Sequence, residues 1–170
     1  MSHPTVVLKA FHKKERFSCG KPLLDNYLHK QAKQDVKKKL SGCFVLADDS
    51  NKVLGYYTLS NASIQRALLP EEVIKRLPPS YQNLPAILLG RLAIDLSCKG
   101  KGFGELLLMD ALKRCYDSSL RIGSMAVIVD PLDTDAVNFY QKYGFILLPD
   151  SKKMFIAMDT LSGLFPVTSE

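Results

Sequence analysis

The sequence predicts an α/β (α+β) fold in one domain over residues 1–170, with its core at about 5–160. Three observations predict it. Short strand-like apolar runs alternate with amphipathic stretches of helical period along the whole chain. Between Leu92 and Leu108 an apolar strand passes through a loop with glycines at 100, 102 and 104 into an apolar helix. The composition, 46% hydrophobic and 24% charged over 170 residues, suits one domain that buries roughly 70% of its unfolded surface.

Taken in order, residues 5–10 alternate weakly as a first strand. Pro22 opens a helix that the pattern carries to about Leu40, with Leu24, Leu28, Ala32, Val36 and Leu40 on its apolar side. Residues 42–48 and 53–62 form a hairpin around Asp48-Asp49-Ser50-Asn51. Pro70-Glu71-Glu72 starts a short helix with acids in its first turn, and Pro78-Pro79 ends it. The central strand is 85–95, the helix after the glycine loop 102–117, and the next strand 124–129. A helix at 134–142 has Asp133 or Thr134 as N-cap and Gly144 as a left-handed C-cap. Strands near 145–148 and 153–158 complete a set of six to seven strands and about four helices.

Several classes are excluded. No apolar run approaches the ~18 residues of a membrane span, and no secretory leader pattern opens the chain. Cys19, Cys43, Cys98 and Cys115 are widely spaced, and the three histidines all precede residue 30, so no metal site is expected. Reduced thiols fit a cytoplasmic protein. Cys19, beside a helix start, is either a reactive thiol or a packed one.

The glycine loop carries chemistry. Lys99-Gly100-Lys101-Gly102-Phe103-Gly104 leads bare backbone N–H groups into a helix N-terminus, where anions bind. Any side chain at the glycines would hold the backbone away from a phosphate, and the turns need positive φ. The loop reads as a pyrophosphate cradle or as a plain helix entry. It is neither of two better-known phosphate loops. G-x-x-x-x-G-K-[S/T] is absent, and G-x-G-x-x-G would need glycine where Glu105 or Leu107 stands.

Together, K-G-K-G-F-G and the later A-V-N-F-Y-Q-K-Y-G-F at Ala136–Phe145 resemble the GNAT superfamily of acetyl-coenzyme A-dependent N-acetyltransferases. The likeness is closer still to the toxin branch of toxin–antitoxin pairs. Phe17-Ser18-Cys19-Gly20, followed by Leu24-Asp25-Asn26-Tyr27-Leu28, resembles that branch's F-x-C-G…L-x-x-[Y/F]-L opening. Gly55-Tyr56-Tyr57-Thr58-Leu59-Ser60 and Leu89-Gly90-Arg91-Leu92-Ala93-Ile94-Asp95 resemble two further landmarks. Two departures stand out. Lys99 occupies the Gln/Arg position of [Q/R]-x-x-G-x-[G/A], and Asp133 the position where Asn is frequent.

The resemblance implies a mostly antiparallel central sheet flanked by helices, and acetyl-CoA as co-substrate without a metal. It implies that backbone N–H groups at Leu92, Ala93 and Ile94 meet the pantetheine and the thioester carbonyl. Lys99, Gly100, Lys101, Gly102, Phe103 and Gly104 then hold the pyrophosphate, with Asp133 and Asn138 also on the coenzyme. Tyr140 matches the general acid, a phenol able to protonate the leaving thiolate, although F-Y-x-x-Y-G-F also reads as a core aromatic cluster. The branch acetylates the α-amine of aminoacyl-tRNA and so blocks translation. It is neutralised by a small ribbon-helix-helix antitoxin, and homodimers are the expected form.

Charge and amine chemistry point the same way. Twenty-three Lys and Arg against 17 Asp and Glu give a net +6 and a sequence pI near 9.1, a field that draws polyanions. Lys30, Lys33 and Lys37 fall on one helical stripe with Lys38 and Lys39 beyond, either a solvated face or a tRNA contact. Arg91 either contacts phosphate or pairs with Asp95. No general base stands out, and an α-amine of pKa about 7.7–8.0 needs none, whereas a lysine amine at about 10.4 would. Asp95 and Glu71 are the carboxylates a base would require, although strand-end and helix-start roles also explain them. The alternatives are a GNAT enzyme for a small amine or a protein N-terminus, and a non-catalytic RNA- or partner-binding module on the same scaffold.

Overall fold

The computed structural model describes residues 3–166. Seven strands form one sheet: β1 (Val6–Val7), β2 (Gly42–Ala47), β3 (Val53–Gln65), β4 (Asn83–Ile94), β5 (Ala126–Val129), β6 (Ile146–Leu147) and β7 (Met154–Ala157). They hydrogen-bond in the order β1-β2-β3-β4-β5-β7-β6. Six α-helices accompany them: α1 (Pro22–Lys30), α2 (Ala32–Lys37), α3 (Glu71–Ile74), α4 (Phe103–Ser119), α5 (Thr134–Lys142) and α6 (Met158–Ser162). The pairs β1·β2, β2·β3, β5·β7 and β6·β7 are antiparallel, with Val45 opposite Tyr56 and Val127 opposite Ile156 fixing the register.

The chain divides into two compact units, and each has its own core. The first takes the described residues up to Ser60 together with Leu89–Ala111. Its core is Leu8, Phe17, Tyr27, Leu28, Ala32, Cys43, Val45, Val53, Tyr56 and Ala93. Alternation along β3 sends Tyr56 into this cluster, where Phe17 meets it edge-on at 5.6 Å between ring centroids. Gly55 leaves room that a side chain could not share: a Cβ there would stand 2.8 Å from Leu107 and 3.1 Å from the Ala93 carbonyl. The second unit takes Asn61–Leu88 and the described residues from Leu112 on, around Ile64, Leu84, Ala86, Ala126, Ile128, Leu148 and Phe155. There the Arg66 guanidinium donates to the carbonyls of Ile74, Leu77 and Pro78, satisfying orphan groups at the end of α3.

A buried polar network fixes the first unit. Asp110 on α4 is 5% exposed. Its carboxylate accepts from the Tyr57 hydroxyl at 2.6 Å and from the Thr5 hydroxyl, and it pairs with the His3 ring. A buried carboxylate is tolerable only when donors surround it. Here they come from the N-terminal segment and from β3, so α4 is tied to both.

Three differences from the sequence expectations have local causes. The first strand contracts from 5–10 to Val6–Val7; Leu8 still bonds Cys43, but His12 bends back on Lys9. The expected helix to Leu40 is two helices, because Gln31 leaves the helical region at φ −121°. It also stops early. Lys39 adopts φ +59°, and Leu40 N–H reaches back to the Asp35 carbonyl while Lys39 N–H reaches Val36, a Schellman closure. Leu40 is therefore 65% exposed, not apolar-face core. α6, which the sequence reading missed, follows β7 directly.

Thr58 is 1% exposed, and its hydroxyl has no hydrogen-bond partner among the described residues. Thr58→Val replaces that hydroxyl by a methyl of the same shape. It should raise unfolding stability by about 1 kcal/mol, read as a higher urea midpoint at unchanged m-value.

Candidate active site

The glycine loop lies in the first unit. Gly100 and Gly102 take φ +79° and +78°, and a Cβ on either would meet nothing within 4 Å. Conformation, not crowding from the protein, therefore demands glycine there, and the backbone above the loop faces open space. The Gly102 carbonyl accepts from Leu106 N–H, which makes it the first helical acceptor of α4. The N–H groups of Phe103, Gly104 and Glu105 then have no partner within the helix, at the positive end of a 17-residue dipole. Lys99 and Lys101 are exposed beside them. These residues fit a pyrophosphate.

Asp95 sets where the loop begins. Its carboxylate, in a residue 6% exposed, accepts from Ser97 N–H at 3.0 Å, the Ser97 hydroxyl at 2.5 Å and Ser18 N–H at 3.0 Å. Leu96 N–H in turn bonds the Ser18 carbonyl, so the N-terminal segment is pinned to the short 3₁₀ turn before the loop. Burial, the largest influence, pushes this carboxyl up. The Ser97 hydroxyl and the Ser18 and Ser97 amides outweigh it and hold Asp95 below the usual range. A carboxylate committed to three donors is a poor base, and it does not pair with Arg91. The other residue named for that role, Glu71, is an exposed acid in the first turn of α3.

Leu92, Ala93 and Ile94 end β4, with Ala93 in the core of the first unit and Asp95 N–H on the Leu54 carbonyl. Arg91, half-buried, lays its guanidinium 3.5 Å from the centroid of the Tyr27 ring. Cys19 is not a reactive thiol: burial first, then its hydrogen bond with Asp25, pushes it up to about 11. Among the described residues no group of three His, Cys, Asp or Glu could hold a metal ion, and no helix is long and apolar enough to cross a membrane.

The predicted lysine stripe is a groove wall. Lys30, Lys33, Lys37 and Lys38 are exposed and line a groove of about 570 Å³ together with Lys14, His29 and Gln34. Lys14 and His29 escaped sequence reasoning. The first arrives from a distant loop, and the second has a buried Nε2 with no hydrogen-bond partner among the described residues. A second groove of about 420 Å³ shares Lys14, Lys33 and Lys37 and adds Lys9 and His12.

The remaining expected residues belong to the second unit. Asp133 caps α5, its carboxylate accepting from Ala136 N–H at 2.9 Å, and Gly144 ends the helix region at φ +95°. Asn138 is exposed on α5. Tyr140 is 7% exposed, packed against Phe139 and Phe145 at 5.3 and 5.2 Å between centroids. Burial alone pushes its phenol well above the ordinary value, so it stays protonated at any working pH.

Asp95→Ala should lower stability by about 2 kcal/mol, as expected for charged hydrogen bonds. It should also weaken acetyl-CoA, the ligand the resemblance assigns to the loop, about ten-fold by calorimetry. An unchanged affinity in the destabilised variant would separate Asp95 from the loop.

The chain is similar to known proteins over most of its length. Residues 8–145 match the model of the acetyltransferase (GNAT) family. A "tRNA-acetylating toxin" of Mycobacterium tuberculosis (strain ATCC 25618 / H37Rv) is 38% identical over 133 residues, 78% of each chain. The toxin AtaT complexed with acetyl-methionyl-tRNAfMet is similar in structure, with a TM-score of 0.87 and 31% identity over 95% of this chain and 98% of that one. A Tyr-to-Phe mutant of AtaT, bound to the C-terminus of the antitoxin AtaR and acetyl-CoA, superposes with a TM-score of 0.80 and 26% identity over 95% and 97%. With its glycine loop at the head of α4 and a family match spanning most of its length, the chain belongs to the GNAT acetyltransferases.

Proposed function

We propose that this protein transfers an acetyl group from acetyl-CoA to the α-amine of aminoacyl-tRNA, acting as a translation-blocking toxin that an antitoxin restrains. The observation that carries the reading is the pairing, within one unit, of an amide-lined glycine loop and a lysine-walled groove. The loop suits a pyrophosphate; five lysines around one groove suit a polyanion far larger than a coenzyme. The names of the similar proteins support both ligands and the antitoxin. The resemblance read from the sequence extends the proposal to a ribbon-helix-helix antitoxin and a cytoplasmic homodimer.

Each residue then has a task. Gly100, Gly102, Phe103 and Gly104 offer amides to the coenzyme's phosphates, flanked by Lys99 and Lys101. The N–H groups of Leu92, Ala93 and Ile94 orient pantetheine and thioester, while Asp133, the cap of α5, and Asn138 complete the coenzyme contacts. Lys30, Lys33, Lys37 and Arg91 take tRNA phosphates. Acetyl-CoA supplies the activated acyl group. The amine nitrogen forms the new bond to the carbonyl carbon, the carbon–sulfur bond breaks, and Tyr140 gives its proton to the departing sulfur. The proton lost by the nitrogen goes to water, and water returns a proton to the Tyr140 phenolate. A neutral α-amine, populated near pH 7.7–8.0, makes a protein base unnecessary.

Labelled acetyl should pass from acetyl-CoA to total charged tRNA, and Tyr140→Phe should reduce the rate about 10²- to 10³-fold. Absence of label with acetyl-CoA binding intact would redirect the search to small amines or protein N-termini.

The pH profile follows from the same groups. Because the Tyr140 phenol is raised, kcat/KM should climb with deprotonation of the acceptor amine, reach half its plateau at about pH 7.7–8.0 and level off about one pH unit higher. No alkaline fall should appear below about pH 9.5 in initial rates; a fall there would mean an acid of ordinary pKa.

A further inference from the structure

Arg91 is held in an unusual way. Among the described residues no carboxylate or hydroxyl takes its N–H groups, and its guanidinium carbon lies 3.5 Å from the centroid of the Tyr27 ring. That ring is itself immobilised. Tyr27 is 4% exposed, lies parallel to Tyr56 at 6.3 Å and 16°, and donates its hydroxyl to Asp35 at 2.8 Å. Tyr56 is anchored in turn by a 2.7 Å bond from its hydroxyl to the Leu24 carbonyl. Burial first, then Asp35, pushes the Tyr27 phenol up to about 12, so the ring stays neutral beneath the cation. The result is a half-buried guanidinium held over a fixed aromatic platform, with no hydrogen bond from its N–H groups to a carboxylate or hydroxyl among the described residues.

We propose that Tyr27 is the positioning residue that fixes Arg91 as a preformed fork for a phosphate of the tRNA substrate. This rests on the reading of Arg91 as a tRNA contact given above. An arginine on a free stem surrenders rotamer freedom when it binds; one already stacked gives up much less. Attraction to a ring, in place of a salt bridge, also leaves the guanidinium N–H groups available for two phosphate oxygens. Through Asp35, the platform is tied to α2, the helix that bears Lys33 and Lys37, so fork and lysine groove share one rigid support.

The test is a cycle of Tyr27→Leu, Arg91→Ala and the double variant, assayed with charged tRNA and acetyl-CoA. Tyr27→Leu is expected to raise KM for charged tRNA about ten-fold, leaving kcat and the acetyl-CoA KM within two-fold. In the Arg91→Ala background the same change should have no further effect. Tyr27→Phe should keep most of the wild-type KM. Should Tyr27→Leu not fold, pentafluorophenylalanine at position 27 keeps the ring's size and removes its negative face, and should raise the tRNA KM in the same direction. A KM shift that persists without Arg91, or one absent from every ring-altering variant while Arg91→Ala raises KM, overturns the positioning role. If Arg91→Ala itself leaves the tRNA KM unchanged, it is the contact reading that fails. A rise confined to the acetyl-CoA KM would assign the fork to the coenzyme's phosphates and overturn the proposal.

Discussion

One carboxylate organises the start of the glycine loop. Asp95 ends β4, and its three hydrogen bonds collect Ser97 from the following turn and Ser18 from a segment 77 positions earlier. Without them, two amides and a hydroxyl would lose their acceptor, and the glycine loop would lose its fixed entry. The glycines contribute freedom of conformation, but freedom is useful only when both ends are set. α4 fixes the far end, and Asp95 fixes the near one. That division explains why a buried acid beside the proposed chemistry serves geometry and not proton transfer.

A second carboxylate does similar work on α4. Asp110 gathers Tyr57, Thr5 and His3, so the N-terminal residues are held by charge-assisted bonds where β1 itself is only two residues long. Thr58, next to Tyr57, shows the reverse case, a buried hydroxyl left alone. Among the described residues, the first unit therefore combines hydrogen-bonded buried acids with two orphaned groups, the Thr58 hydroxyl and the His29 Nε2.

Electrostatics divides the same way. The lysines of α1 and α2 stand in solvent, where screening allows several like charges on one wall. Arg91 is partly buried, and there a neutral aromatic face replaces the counter-charge that an isolated guanidinium would otherwise need. In the proposed function, such a surface would attract phosphate over a distance through the lysines and hold it at close range through the guanidinium.

Much of this was legible in the residues alone. Local chemistry settles helix α5, from the Asp133 cap to the Gly144 turn, and it settles the strand–glycine loop–helix passage, since both depend on neighbours within a few positions. The end of α2 was not legible, because Lys39 occupies the left-handed position where glycine would have announced a stop. Lys14 in the groove, the commitment of Asp95 to Ser18, and the seat of Arg91 on Tyr27 were equally hidden. Each joins residues 15 to 77 positions apart through packing that no local pattern encodes. The sequence by itself determined the elements, the phosphate loop and the basic stripe, because these follow from period, dihedral preference and charge. Only the tertiary structure decided which acids are spent on structure and which cation is left free to bind, because that depends on who is buried beside whom.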